Sequence, residues 1–272
     1  MRIKNNGEGL NMKQKFRNKG KGLVATIALG LALLGSGYSS LLKDKASVPN
    51  IQNQLKINKQ VGGLSAKQYQ SLSEIDYHNG EKIVRFVNHN NSTLNLHSWH
   101  RNKIIYQNLD KLNRTSGSNT AFLDRRNIAK QAKRTRQQVK PTGWHYPYRD
   151  GVQIYNRGHL IAYSLSGGID QFGKYKPNNE GDQNNPRNLF TQSAYTNQKV
   201  QTIYEGEVRN ALVAGQKVIY QATPIFRGNE LMARGINLQA KSTDGMLNFN
   251  VYIFNVQPHY QFDYQSGAVR KS

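Results

Sequence analysis

The chain contains no cysteine, so neither a disulfide framework nor a thiolate metal site is available, and any bound metal must rest on oxygen or nitrogen ligands. Stability has to come from the core, with help from a bound ion where there is one. Acid is scarce too: 16 Asp and Glu stand against 38 Lys and Arg, a formal charge of +22. No internal repeat is present, and the histidines include no His-Glu-x-x-His pattern of the kind that marks a helical zinc site. What remains is 272 residues, 37% hydrophobic and 20% charged. That is a globular rather than a disordered composition, long enough for one large domain or two small ones.

Nine of the Lys/Arg and two of the Asp/Glu fall in residues 1–45, so the rest of the chain still carries +15. An excess that persists away from the N-terminus points to a polyanionic partner, because clustered Lys and Arg gain affinity by releasing counterions from phosphates. The densest run is 125–140, with seven Lys/Arg and no acid. It holds Arg125, Arg126, Lys130, Lys133, Arg134 and Arg136. The recurrence of Arg126, Lys130 and Lys133/Arg134 predicts a basic stripe on a helix that Pro141 stops. Such a stripe suits backbone contacts that position nucleic acid without reading its sequence; the alternative is a merely solvated face.

Residues 1–21 hold seven Lys/Arg and one Glu, and an apolar run over residues 23–34 ends at Gly35-Ser36-Gly37. A positive head before about a dozen apolar residues is an export signal. No Ala-x-Ala cleavage site follows, and a run extended through Leu42 approaches the ~20 residues that span a bilayer. A cleaved signal and an uncleaved membrane anchor therefore both stay open. Met12 begins a better-proportioned signal than Met1. Residues 1–43 are assigned to a signal peptide or signal anchor, the polar residues 44–63 to a linker, and 64–272 to one domain. The product is expected to be exported, either secreted or anchored to the outer face of the cytoplasmic membrane.

Residues 64–69 read as a short helix, and 82–87, 103–109, 152–155, 216–226, 235–241 and 247–255 as strands, the last two joined by the hairpin signal Asp244-Gly245. Residues 262–264 and 268–270 are expected to form a final small hairpin. The Gly/Asn-rich stretch 166–185 reads as a long loop of the kind that is functional or mobile. Residues 192–214 read as a helix with Tyr195, Val200, Tyr204, Val208 and Leu212 on one face. The class is α+β with a central, mainly antiparallel sheet. His78, His89, His97 and His100 read as ordinary surface or core histidines, and Trp144 as packing rather than a base-stacking platform.

The chemistry gathers at Tyr155-Asn156-Arg157-Gly158-His159-Leu160 and at Asn197 and Glu205 downstream. His159 falls at the end of a predicted strand, and imidazole is the side chain able to take a proton from water near neutral pH. Asn197 offers a neutral oxygen to a hard cation such as Mg²⁺, which prefers oxygen and keeps several waters. Glu205 follows at helical spacing, so both side chains reach one side of a helix. These are the parts of a one-metal phosphodiesterase. Arg157 and Arg209 are candidates to neutralise transition-state charge, with pairing to Glu205 and Glu207 as the alternative for Arg209.

Asn156-Arg157-Gly158-His159 resembles the Asp-Arg-Gly-His motif of the DNA/RNA non-specific endonucleases, the ββα-metal or His-Me finger enzymes. Asn185-Pro186-Arg187-Asn188 resembles their Asn-Pro-x-Asn turn. The resemblance runs over residues 144–212, with weaker echoes at 106–110 and in the C-terminal strands. It is nearest to the streptococcal branch, which holds secreted DNases and a nuclease of DNA uptake. Four short signals in order carry it, where Arg-Gly-His alone would mean little. The resemblance implies a ββα-metal finger at the active site, His159 as general base, Asn197 as metal ligand and Glu205 beside it, and Asn188 as a further active-site residue. It also implies Mg²⁺, with Mn²⁺ as the alternative, and no small-molecule cofactor. The implied substrate is extracellular DNA, with RNA as the alternative, cut without sequence preference for uptake or degradation. Asn156 departs from the family's Asp and removes a negative charge near the metal. That keeps a second reading open, a weak or inactive surface DNA-binding protein on the same fold.

Overall fold

The computed structural model describes residues 60–129, 136–179, 181 and 183–272. The expected signal segment, nearly all of the linker, and Lys130, Lys133 and Arg134 lie outside the described residues. Packing already begins at Val61, buried against Leu94, Phe122 and Ile219, so the last residues of the expected linker belong to the folded unit. Among the described residues no helix is long and apolar enough to cross a membrane.

In chain order the elements begin with α1 (Ala66–Ser73), β1 (Val84–Phe86), β2 (Lys103–Ile105), β3 (Asn119–Leu123), β4 (Tyr148–Arg149), β5 (Val152–Gln153), β6 (Tyr155–His159) and β7 (Leu189–Ser193). A π-turn over Thr196–Gln201 then leads into α2 (Thr202–Val213), followed by β8 (Val218–Ile225), β9 (Gly235–Ser242), β10 (Asn248–Phe254), β11 (Tyr260–Asp263) and β12 (Ala268–Lys271). The centre is a six-stranded sheet in the order β1-β10-β9-β8-β3-β2, antiparallel at every pairing. The α+β class and the antiparallel sheet are as the sequence predicts.

Every residue of β8 is buried, because both faces of the sheet are covered. Alternate residues of a strand take opposite faces. Val218, Tyr220 and Ala222 therefore join Ala121, Leu238 and Val251 in a cluster with Val208, Ala211 and Leu212 of α2. Ile219 and Phe122 turn the other way, to Val61 and Leu94. That second face carries amides as well, and residues 61–95 close over it by hydrogen bonds. Gln221 Oε1 accepts from Leu64 N at 3.2 Å and Gln239 Oε1 from Thr93 N at 3.0 Å. A buried polar group left unpaired there would cost roughly 1–3 kcal/mol. Helix α1 starts in a capping box, with Gln68 N donating to Ser65 Oγ at 3.2 Å and Ser65 N to Gln68 Oε1 at 3.0 Å.

Several expectations need correction. β2 stops at Ile105, and β3 is a buried central strand that the sequence reading does not identify, since Asn-Thr-Ala-Phe-Leu shows no alternation when both faces are covered. The basic helix over 125–140 is absent from the described part of that run. Asp124 caps a single 3₁₀ turn, Arg125–Asn127. Ala129 N then donates to Ser164 O at 3.1 Å rather than to a carbonyl of its own turn, which takes the backbone out of helical geometry, and 136–140 are irregular. The helix expected from residue 192 begins later, because Gln192 and Ser193 close strand β7, where Ser193 N is tied to Asn255 Oδ1 at 2.7 Å. The apolar face of the helix itself is as expected, with Val200, Val208 and Leu212 buried and Tyr195 and Tyr204 packed against the cluster.

Candidate active site

β6 and β7 form their own antiparallel pair, with Asn156 opposite Gln192 and His159 opposite Leu189. His159 is the last residue of β6, as its place after a predicted strand requires. The π-turn and α2 follow directly on β7, completing a ββα unit. A cleft of about 660 Å³ opens on it, lined among others by Asn156, Arg157, His159, Gln183, Asn197 and Glu205. Of the residues singled out from sequence, His159, Arg157, Asn197 and Glu205 are thus brought together. Gly158 is what lets the strands close here: a Cβ on it would lie 2.2 Å from Gln192 Oε1.

Two fully buried glutamines, Gln192 and Gln201, join these groups, and their polarity can be worked out. A backbone carbonyl only accepts, so the Gln201 atom 2.9 Å from His159 O is its amide nitrogen, which also donates to Glu205 Oε1 at 2.7 Å. Gln201 Oε1 then accepts from Gln192 Nε2 at 2.9 Å, and Gln192 Oε1 from Asn197 Nδ2 at 2.9 Å. The Asn197 oxygen is therefore the end of the amide left for the cleft. One of its two lone pairs accepts from Asn156 Nδ2 at 2.9 Å, which leaves the other for a cation. Asn156 is itself held by Gln153 Nε2 at 2.7 Å. The donor set fits a hard cation that keeps most of its waters: one neutral oxygen, a carboxylate across the π-turn, and, among the described residues, no group of three or more His, Asp or Glu that would cage a metal.

His159 Nε2 lies 3.1 Å from Gln183 O. Gln137 Nε2 approaches the same nitrogen at 3.4 Å, and the nearer carbonyl favours the tautomer protonated on Nε2, in which the basic lone pair is on Nδ1. The loop 166–185, legible from sequence only as a long connection, supplies that carbonyl. Arg157 stacks on Trp144, its guanidinium carbon 4.4 Å from the ring centroid, and its Nε donates to Val139 O. Burial, and then the like charge of Arg136, hold its pKa below the ordinary arginine value.

The other expected residues lie elsewhere. Asn188 is fully buried and does not line the cleft. Its Oδ1 accepts from Ile161 N at 3.0 Å and its Nδ2 donates to Ile161 O at 2.9 Å, so it clamps the chain two residues past His159. Arg209 sits one turn after Glu205 on α2 and is not part of the cleft lining. Arg125, Arg126 and Arg136 are exposed, and Arg126 is paired with Asp124 at 2.6 Å and lies over Tyr175. His78, His89, His97 and His100 are exposed and none lines the cleft. Gln153, Gln183, Gln192 and Gln201 are the residues that sequence reasoning passes over, because a neutral amide in a glutamine-rich chain carries no signal until its neighbours are known.

The chain matches the DNA/RNA non-specific endonuclease family over residues 70–257. A deoxyribonuclease of Streptococcus dysgalactiae subsp. equisimilis is 36% identical over 52 residues, a segment that spans 19% of this chain and 16% of that protein. The crystal structure of NucA from Streptococcus agalactiae with magnesium ion bound is similar at 29% identity and a TM-score of 0.61, covering 77% of this chain and 99% of that one. The same protein with no metal bound gives 30% identity, a TM-score of 0.59, and coverage of 86% and 100%. With the finger, the cleft and a family match spanning most of the folded unit, the chain belongs to the DNA/RNA non-specific endonuclease family.

Proposed function

We propose that this protein is a divalent-metal-dependent endonuclease that hydrolyses phosphodiester bonds of DNA without sequence preference, and of RNA as an alternative substrate. The observation that carries the reading is the convergence on one cleft of a histidine held through Nε2 by Gln183 O and the outward oxygen of Asn197 beside Glu205. His159 Nδ1 would take the proton of the attacking water, whose oxygen forms the new bond to phosphorus as the bond to the 3′ oxygen breaks. A water held by Glu205 returns a proton to that departing oxygen. Arg157, with its charge steadied over Trp144, would offset charge on the phosphoryl oxygens. Asn197, with Glu205 acting through water, would hold the ion, Mg²⁺ or Mn²⁺, which when bound supplies Lewis-acid stabilisation of the phosphoryl group. The magnesium ion in the similar S. agalactiae protein supports this choice.

The test is plasmid incubated with the purified protein and Mg²⁺, with and without EDTA. Nicking that EDTA abolishes is expected; its absence at every pH from about 6 to 9 would leave the second reading, a DNA-binding protein without cleavage. The hydrogen bond from Asn156 to Asn197 Oδ1 is the feature that favours that second reading. His159→Ala should remove cleavage by orders of magnitude and leave salt-sensitive DNA binding, whereas equal loss of both would make His159 structural. The N-terminal signal supports export to act on extracellular DNA, in uptake or in degradation. Fractionation of cells into medium, membrane and cytoplasm tests it, and recovery in the cytoplasm would refute it.

A further inference from the structure

Beside the cleft stands a pair of exposed aromatic rings that the catalytic reading does not use. Tyr146 is 77% and Tyr148 50% exposed, and their ring centroids are 6.4 Å apart. Tyr148 lines the cleft. It is paired across the β4–β5 hairpin with Gln153, and directly opposed residues share a face. Gln153 holds Asn156, which in turn bonds Asn197. The tyrosine therefore lies on the same side as the proposed metal ligand, a short chain of hydrogen bonds away.

The hairpin is rigidly mounted. Asp150 and Gly151 both take positive φ, 51° and 75°, as a two-residue type I′ turn requires. Ile154 N donates to Pro147 O at 2.7 Å, and the Arg149 guanidinium donates to Val269 O on β12. Two large rings held out in water by a stiff support are set to stack on something without a large ordering cost. The cationic Arg157 in the same cleft, and the charge of Arg136 felt there, select a polyanion as the carrier of that partner.

We propose that Tyr146 and Tyr148 form a stacking platform for an unpaired nucleobase next to the scissile phosphate, so that single-stranded or locally opened nucleic acid is held better than closed duplex. The bases of a closed duplex are already stacked on one another, whereas an unpaired base presents a free π face. The inference rests on the nuclease reading of the cleft, but its test does not need cleavage.

The full-length protein is titrated in EDTA with a single-stranded oligodeoxynucleotide carrying 2-aminopurine, and with a duplex of the same sequence. Native protein is expected to quench the fluorophore. Tyr146→Ala/Tyr148→Ala should lose the quenching and bind the single strand roughly tenfold or more weakly, the scale of a lost base–aromatic stack, while keeping its affinity for the duplex. Tyr146→Phe/Tyr148→Phe keeps the rings and should bind as native. Unchanged quenching and affinity in the alanine variant overturn the platform, as does equal loss in the phenylalanine variant, which would show that something other than stacking is at work. Plasmid nicking by native protein is scored separately: quenching without nicking keeps the platform and removes the nuclease reading, and nicking without quenching does the reverse.

Discussion

Gln201 donates to a carbonyl of the strand that carries His159 and to the carboxylate of Glu205, and through Gln192 it decides which end of Asn197 faces the cleft. Gln201→Leu keeps the volume but strands the Gln192 amide, at a cost of about 1–3 kcal/mol. A lower Tm is expected, along with weaker Mg²⁺ binding by calorimetry, because Gln192 is then no longer oriented by Gln201 and the Asn156 hydrogen bond alone opposes a turn of the Asn197 nitrogen toward the cleft. A folded variant with native metal affinity would show that the glutamines pack without orienting anything. Asn156 acts on the same oxygen from the other side. Asn156→Asp replaces a competing donor with a negative charge near the ion, and Mg²⁺ affinity should rise on the order of tenfold; a fall in affinity would show that the Asn156 hydrogen bond positions Asn197 for the metal.

The loop that reaches His159 is an element in its own right, built around Asp170. This buried carboxylate accepts from Phe172 N and Lys174 N at 2.9 Å each, and pairs with Lys176 at 3.0 Å. Burial alone would raise its pKa, but Lys174 N, Lys176 and Phe172 N together bring it below the ordinary value. The folded loop therefore binds a proton more weakly than the unfolded chain does. The stability contributed by Asp170 is complete above about pH 4 and is lost as pH falls below that. Protection from hydrogen exchange over 166–179, taken relative to the intrinsic amide rate at each pH, should fall on acidification through that range, and Asp170→Asn should lower it at neutral pH and remove the acid dependence. Since Gln183 lies farther along the same loop, cleavage by Asp170→Asn should fall at neutral pH as well. Native rates in this variant would uncouple the loop from His159.

At the scale of the whole molecule, charge governs encounter with a polyanion. Among the described residues of the basic run, Arg126 is already matched by Asp124, whereas Arg136 is exposed and near enough to Arg157 to depress its pKa. Binding measured against salt should therefore lose about 0.9 from its logarithmic slope in Arg136→Gln and less in Arg126→Gln. Equal changes would mean that Asp124 releases Arg126 to the phosphates.

The candidate residues that share the cleft were legible in the order of the letters. His159 follows a short alternating run, and Asn197 and Glu205 stand at helical spacing, so a strand end and a helix face could be inferred from periodicity alone. The long hydrophobic strands β8 and β10 and the Asp244-Gly245 turn were legible for the same reason, since local pattern and local structure share a period. The buried β3, the strand ending of Gln192 and Ser193, and the non-helical backbone at Ala129 were not, because each is set by partners far away in sequence: Ser164 for Ala129, Asn255 for Ser193, and a sheet covered on both faces for β3. The sequence by itself determined which groups could act. Tertiary structure decided which way they face, because an amide has the same letter whichever end it presents, and it is the acceptors brought to Gln201 by the fold, the carbonyl of His159 and the carboxylate of Glu205, that orient the glutamines and turn the oxygen of Asn197 to the cleft.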